Sequence, residues 1–391
     1  MKHTNVDGSG TIISTQANAQ IDLSFVDNTT VLALGNDDQI HLGSPGSGDD
    51  EGVGNRIFVS GTRSVVDIGQ SGNSTGNAIY LRGSNETVDG AGFPGSHDQV
   101  EVDGKDASVT LGGYNAVTLN GKDADVTILP TQDAGAFDPF GQNSVVATGS
   151  EKQTVTGAGA DFSFSGGSGH YTVSGGSAEN STISGGSGGG LFTGGYYNNA
   201  NVFLPSGGYY SGSNLLIAGT EKSTLVGALH GSSVLDASGT VGDVLIAGEY
   251  GADTMSGAGS TAGNLFEGYT GPYAATDDPA VPSLVIQAGS GNDTLVAGLA
   301  AETLTGGSGH DLFRFVAHAA GALPQGGNTT LITDFMPGTD KIDLQGFSVT
   351  SEQVVASETI SGGSTLLTLP GGVHITLAHV TDLSPKNFTH S

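Results

Sequence analysis

Residues 288–314 read AGSGNDTLV, AGLAAETLT and GGSGHDLFR, three nine-residue units with nothing between them. Each opens on a glycine-rich turn and closes on a short run around one large apolar residue: Leu295, Leu304 and Phe313. The first and third carry an aspartate at the sixth position; the second has Ala297 and Glu302 where glycine and aspartate are expected. Few folds accept such a pattern. The glycines admit backbone conformations closed to other residues and let neighbouring turns lie close. The three-residue run alternates side-chain direction, as a strand does. Two units then make one coil, with a strand on each of two facing sheets, and positions eighteen apart stack on one edge. The expected fold is all-β: an elongated parallel β-solenoid or β-roll of roughly nine-residue half-coils.

The unit G-G-x-G-x-D-x-U-x, with U a large apolar residue, resembles the repeats-in-toxin (RTX) nonapeptide of secreted calcium-binding β-rolls. Asp293 and Asp311 are eighteen residues apart and share an edge. Their carboxylates, with turn carbonyls near Gly289, Gly291, Gly307 and Gly309, are expected to form an oxygen cage between adjacent coils. Calcium takes about 6–8 oxygens in such cages. Asp243 and Asp253 return to the same position of the unit but lie ten apart, so they are expected on opposite edges without an eighteen-residue partner, as further candidate ligands.

The apolar rhythm extends far beyond these units. Over 1–147 it runs as Ile12-Ile13, Ile21/Leu23, Val31-Leu32, Ile40/Leu42, Ile57/Val59 and onward to Val126/Ile128, with Gly, Asn and Asp between the runs. This portion reads as a degenerate parallel solenoid. Over 148–284 the Gly-Gly-x-Gly frame is visible, with apolar positions at Val155, Phe164, Val173, Ile183 and Phe192. The sixth position there holds Gln153, Phe162, Tyr171, Asn180 and Gly190, so the turns have mostly lost the carboxylate. Residues 285–391 complete the division as the calcium-binding β-roll and C-terminal region. With six interrupting segments removed, the rest amounts to roughly 17 coils and a rod of ~80 Å at the usual strand spacing.

Those segments, 43–55, 90–97, 130–143, 196–213, 268–282 and 317–328, read as loops leaving one edge. Three carry aromatics: Phe137 and Phe140; Tyr196, Tyr197, Phe203, Tyr209 and Tyr210; Tyr269 and Tyr273. The rings pad their own loops or offer a contact surface for sugar or a second copy. Asp49, Asp50 and Glu51, near Asp37 and Asp38 in sequence, read as a solvated turn or a second cation site.

Residues 329–347, TTLITDFMPGTDKIDLQGF, resemble the segment that follows the nonapeptides in serralysin-type proteins, and 373–391 resemble their terminal pattern, with Asn387-Phe388 in place of Asp-Phe. The resemblance implies export by a type I secretion apparatus that reads the C-terminal region. The opening MKHTNVDGSGTIIS lacks the apolar stretch of a secretory signal peptide, which fits that route. The expected location is extracellular. Asp334, Asp340 and Asp343 in this segment read as capping and turn residues.

Charge and composition limit the partners. Eleven Lys and Arg face 39 acidic residues, a net charge of -28. Nucleic acid and anionic membrane are poor partners for such a surface, and no apolar run is long enough to span a bilayer. The chain has no cysteine, which excludes disulfides and thiolate metal sites.

No HExxH occurs, and Gly185-Gly-Ser187-Gly-Gly189 matches G-x-S-x-G only through composition, without a strand-to-helix elbow. The expected function is therefore a secreted, calcium-binding structural or adhesive solenoid, self-associating into filaments, a surface layer or biofilm matrix and open to surface polysaccharide. Exposed solenoid ends favour head-to-tail stacking. The alternative is a carbohydrate-active enzyme (lyase, epimerase or hydrolase), motivated by acids and by Arg63 and Arg82, nineteen residues apart. An ice-binding rod needs a Thr-x-Thr ladder in register; Thr154/Thr156 and Thr303/Thr305 look too isolated for one.

Overall fold

Strands pair with the next strand but one, and those pairings are parallel, as a solenoid requires. The computed structural model describes residues 3–5, 10–23, 26–42, 53–68, 76–90, 97–112, 115–129, 142–195, 213–228, 231–237, 241–248, 251–269, 283–318 and 328–391. The chain divides into two compact units, Met1–Gly188 and Gly189–Ser391.

In the first unit one sheet stacks Gln20–Asp22, Gln39–His41, Val65–Asp67, Thr87–Gly90, Ser108–Gly112 and Ala124–Leu129. The other stacks Thr11–Ser14, Thr30–Ala33, Arg56–Val59, Ala78–Leu81, Gln99–Val102, Ala116–Leu119 and Gln142–Ala147. The long strands Gln153–Ser165 and Tyr171–Ser184 continue both sheets at once, with a register irregularity between Thr156 and Ala158.

Apolar residues sit on apolar residues from coil to coil. Ile21, Ile40, Val66, Val88, Val109, Val126, Val155 and Val173 form one such column, all buried. Burying each aliphatic side chain contributes about 1.5–3 kcal/mol. Nearly every apolar position expected from the rhythm is inside; Val234, expected inward with Leu216, Leu225, Leu245, Met255 and Phe266, is 43 % exposed because Leu235 takes the inward place, and two further exceptions lie in the first unit. Ile13 is 63 % exposed and Leu32 half-buried, because alternation in their strands sends Ile12, Val31 and Ala33 inward instead.

The turns of the first unit share a second device. Asn18, Asp37, Arg63, Asn85, Asp106 and Asp123 all have φ between 50 and 61°. Asn and Asp tolerate this left-handed conformation. Arg63 is the unusual member, and its guanidinium is held by both carboxylate oxygens of Asp37 at 2.8 Å.

In the second unit one sheet runs from Gly190–Thr193 through Ser223–Val226, Val244–Ile246, Leu265–Glu267, Thr294–Val296, Leu312–Val316 and Lys341–Gln345 to Phe388–Thr389. The other runs from Ser213–Ile217 through Ser232–Asp236, Ala252–Ser256, Ser283–Gly289, Ala301–Gly307 and Asn328–Ile332 to Val373–Leu377. Thr359–Ser361 and Ser364–Leu369 then add antiparallel strands onto Val373–Leu377. A six-residue helix, Ser351–Ala356, precedes them, closed by a capping box between Thr350 and Gln353.

Beside Thr154 and Thr156 lie Asp125 and Thr127 on one side and Thr172 and Ser174 on the other, so neither adjacent strand repeats the Thr-x-Thr pair. The aromatics Phe137, Phe140, Tyr196, Tyr197, Phe203, Tyr209, Tyr210 and Tyr273 lie outside the described residues, as do Asp49, Asp50 and Glu51.

Candidate metal centre

The aspartates of the repeats are buried at the sheet edge, where each coil turns. Thr294 stands beside Leu312 and Gly289 beside Gly307, so the two outer nonapeptides occupy adjacent coils. Asp293 and Asp311 are 1 % and 2 % exposed. The Asp293 backbone N–H donates to Asp311 Oδ1 at 2.9 Å. The Asn264 N–H donates in turn to Asp293 Oδ1 at 2.7 Å.

This contact is one rung of a longer ladder. Ser223 N–H donates to Asp243 Oδ1 at 2.7 Å, and Asp243 N–H to Asn264 Oδ1 at 2.9 Å. At the other end Asp311 N–H donates to Asp340 Oδ1 at 3.1 Å. Each side chain therefore holds the backbone of the coil before it. The first unit has its own ladder, in which Thr29, Asn55, Asn77, Asp98 and Asn115 donate their N–H to Asn55, Asn77, Asp98, Asn115 and Asn143 respectively, at 2.8–3.1 Å.

The ladders were not anticipated from the sequence, yet they leave a mark in it. Every member from Asn55 to Asn143, and from Asp243 to Asp340, stands two residues before a buried apolar residue. The unequal spacing of the coils hides this in a search at a fixed period. Asp243 thus has coil-to-coil partners after all, Ser223 and Asn264, at separations of 20 and 21 residues.

Asp253 lies off this ladder. Its Oδ1 accepts from Ser233 N–H and its Oδ2 from Gly248 N–H, both at 2.8 Å. Glu302 acts similarly, accepting from Gly298 N–H at 2.6 Å and from the Thr330 hydroxyl at 3.1 Å. The longer side chain supplies the same turn-closing contact where the nonapeptide lacks aspartate. Asp334 accepts from the N–H groups of Gly306 and Gly307 at 2.9 and 2.7 Å, and Asp340 Oδ2 from Met336 N–H at 2.8 Å. Asp343 is buried but accepts from Arg314, Thr389 and Ser391, which hold its carboxyl below the usual range.

The glycines bring the turns together. A Cβ on Gly307, whose φ is +90°, would stand 1.9 Å from the Gly289 carbonyl oxygen; one on Gly309 would stand 1.9 Å from that of Gly291. Only glycine allows this approach. In the first unit the Asp position of the turn 166–171 is held by Tyr171. Its hydroxyl accepts from Gly167 and Gly169 N–H at 2.9 and 3.0 Å and donates to the Gly149 carbonyl at 3.1 Å. A neutral phenol there takes the place of a carboxylate.

Burial leaves the carboxylates of the second unit short of compensation. It raises the Asp311 pKa to about 6, against the hydrogen bond from Asp293, and the charges of Asp340, Asp293 and Asp334 push the same way. Burial likewise raises Asp293, Asp243 and Asp340, takes Asp253 to about 6, and takes Glu302 to about 7. Asp293 Oδ2 and Asp243 Oδ2 are buried without a hydrogen-bond partner. Such an oxygen demands a proton or a cation. Among the described residues no three His, Asp or Glu side chains converge on one point, so an ion here would draw on turn carbonyls as well. Hard oxygen donors of this kind suit calcium.

Residues 283–380 match the family model for the peptidase M10 serralysin C terminal. No curated protein matches the chain significantly. Among solved structures, the extracellular lipase LipA from Serratia marcescens aligns at 17% identity and a TM-score of 0.18, over 68% of this chain and 39% of the lipase. The chain thus spans about two fifths of the lipase, and the likeness is too weak to bear on fold or activity. Nonapeptides, parallel coils and the family match converge on one region: residues 283–380 are similar to the serralysin C terminal, and the nonapeptides within them wind as a parallel β-roll of the RTX type.

Proposed function

We propose that this chain is a secreted, calcium-dependent structural or adhesive solenoid that associates with its own copies. The observation that carries self-association is an outward face on the second unit whose middle column is uncharged, with Asp236 the charged residue of the column beside it. Leu215, Val234, Thr254, Val285, Thr303 and Leu331 lie side by side on successive coils. Four of them are large apolar residues, 36–43 % exposed. The neighbouring column, Ser213, Ser232, Ala252, Ser283 and Ala301, is exposed, small and uncharged. On a chain of net charge -28, a face with so little charge is where a second copy meets the least repulsion.

Calcium is held by Asp293 and Asp311 with carbonyls of the turns containing Gly289, Gly291, Gly307 and Gly309. It neutralises carboxylates that burial has stripped of water and joins one coil to the next. Asp243 keeps one buried oxygen for a second ion, whereas both oxygens of Asp253 already accept N–H groups. The serralysin-type match supports export through a type I apparatus and an extracellular location. Calcium scarcity inside the cell leaves the region unfolded for passage, and binding outside stabilises the fold by mass action.

Two measurements test this. Sedimentation and negative-stain microscopy in millimolar calcium should show assemblies that the double variant Val234→Lys/Val285→Lys abolishes while remaining folded. A wild-type protein that stays monomeric at all concentrations refutes self-association. Calorimetric calcium titration should show binding that Asp293→Asn and Asp311→Asn each weaken; unchanged binding removes these residues from the site.

A further inference from the structure

The first unit carries an open groove of about 510 Å³ whose walls repeat with the coils. One wall is the column Ser108, Asp125, Thr154 and Thr172, neighbours across parallel strands. Two residues before each, in the turns, stand Asp106, Asp123, Lys152 and His170, which form the opposite wall. Between them the chain turns inward at Ala107, Ala124, Gln153 and Tyr171, all buried. Each of four successive coils thus presents one pair of polar groups to solvent. Successive pairs are ~4.8 Å apart, the spacing of hydrogen-bonded strands, so the groove runs ~14 Å along the stacking direction.

The geometry points to an extended, neutral oligosaccharide as the ligand of this groove, one sugar unit to each coil. The strand spacing is close to the length of one pyranose unit in an extended chain, so a linear glycan laid across the strands meets the same kind of pair at each step. Asp123 and Asp125 lie on one coil and offer carboxylates to adjacent sugar hydroxyls, which donate to them in charge-assisted hydrogen bonds. Ser108, Thr154 and Thr172 both donate and accept. Lys152 makes no ion pair with a described residue and points its donors at glycan oxygens, whereas Asp106 is already paired with Lys105 at 3.2 Å. Backbone fixes the acidic wall: Asp106 and Asp123 sit at φ 54° and 50°, in turns locked by coil-to-coil bonds such as Asp106 N–H to the Lys122 carbonyl at 3.0 Å. A preorganised wall loses little freedom on binding.

The charge selects a neutral chain. Three carboxylates, Asp106, Asp123 and Asp125, line two of the four coils and the chain carries a net charge of -28, so a polyuronate is repelled over that half of the groove, Lys152 and His170 lining the other. The inference deepens the adhesive reading by naming a ligand class and the surface that takes it. It stands apart from the calcium centre, which belongs to the second unit.

The test is calorimetric titration of the full chain with cellohexaose, laminarihexaose and maltohexaose, with hexagalacturonate for comparison, in calcium and in chelator. At least one neutral hexasaccharide should bind. The double variant Asp123→Asn/Asp125→Asn changes exposed groups only and should weaken binding at least about tenfold, the loss expected for charge-assisted hydrogen bonds. Asp161→Asn, at a second cleft lined by Asp98, Asp161 and Asn180, should leave binding unchanged. Absence of binding by every neutral hexasaccharide, preference for hexagalacturonate, or equal binding by the double variant each overturns the inference. None of these results touches the microscopy of assemblies, so failure here and failure of self-association are read separately.

Discussion

Replacing Asp311 separates two roles that one carboxylate combines. Its Oδ1 accepts the buried Asp293 N–H at 2.9 Å, and its charge is the one a cation would neutralise. Asp311→Asn keeps the acceptor and removes the charge; Asp311→Ala removes both. In chelator, the alanine variant leaves a buried N–H unpaired, at a cost of about 1–3 kcal/mol. The asparagine variant is at least as stable as wild type at pH 8, because the wild-type carboxyl, with its pKa raised to about 6, must be held ionised against burial and its neighbours' charges. Calcium at a hundredfold excess over Kd adds about 2.7 kcal/mol to wild type and less to either variant. The order of wild type and asparagine therefore reverses between chelator and calcium. Hydrogen exchange over 283–318 reads this locally, which matters in a repeat fold where stability is not uniform. The reasoning fails if asparagine is the weaker protein by the same margin in both conditions, since the charge would then serve the fold without the ion. It fails too if asparagine and alanine are equally weak, since the ladder bond would then contribute nothing.

Two further outcomes follow from buried groups. Glu302 and Glu86 have pKa values raised to about 7, and Asp253 to about 6, chiefly by burial. In that state the folded form binds more protons than the unfolded form between their ordinary values and these raised ones, so stability in chelator rises as pH falls from 8 to 5. Thermal melting across that range should show it, and Glu302→Gln should flatten the slope; a melting temperature that drops steadily with acidification contradicts the assignment. Tyr171→Phe removes an acceptor from two turn N–H groups and should destabilise the first unit by about 1–3 kcal/mol, equally with and without calcium. A calcium-dependent loss in exchange over 142–184 would show that this turn is not sealed by the phenol alone.

Local chemistry settled much of this protein. The rhythm of Ile, Val, Leu and Phe between Gly, Asn and Asp is short-range information, and it named the strands and most of their inward positions from Ile21 to Phe313, missing by one residue at Leu32 and Val234. Strand alternation decides a face within three residues, so no distant contact is needed to read it. The pairing of Asp293 with Asp311 was legible for the same reason: no insertion separates their nonapeptides, and a fixed period survives. Elsewhere the register was decided by the tertiary structure. Loops of unequal length let the ladder from Ser223 to Asp340 advance by 20, 21, 29, 18 and 29 residues, with constant contact in space and none in sequence period. The short helix Ser351–Ala356 and the pairing of Arg314 with Asp343 depended on how the chain returns to the last coils. The groove beside Asp125, and the coil-by-coil alignment of Leu215 with Leu331, arose only when parallel strands stacked. Stacking turns residues scattered along the chain into columns, and columns are what a ligand or a second copy can meet.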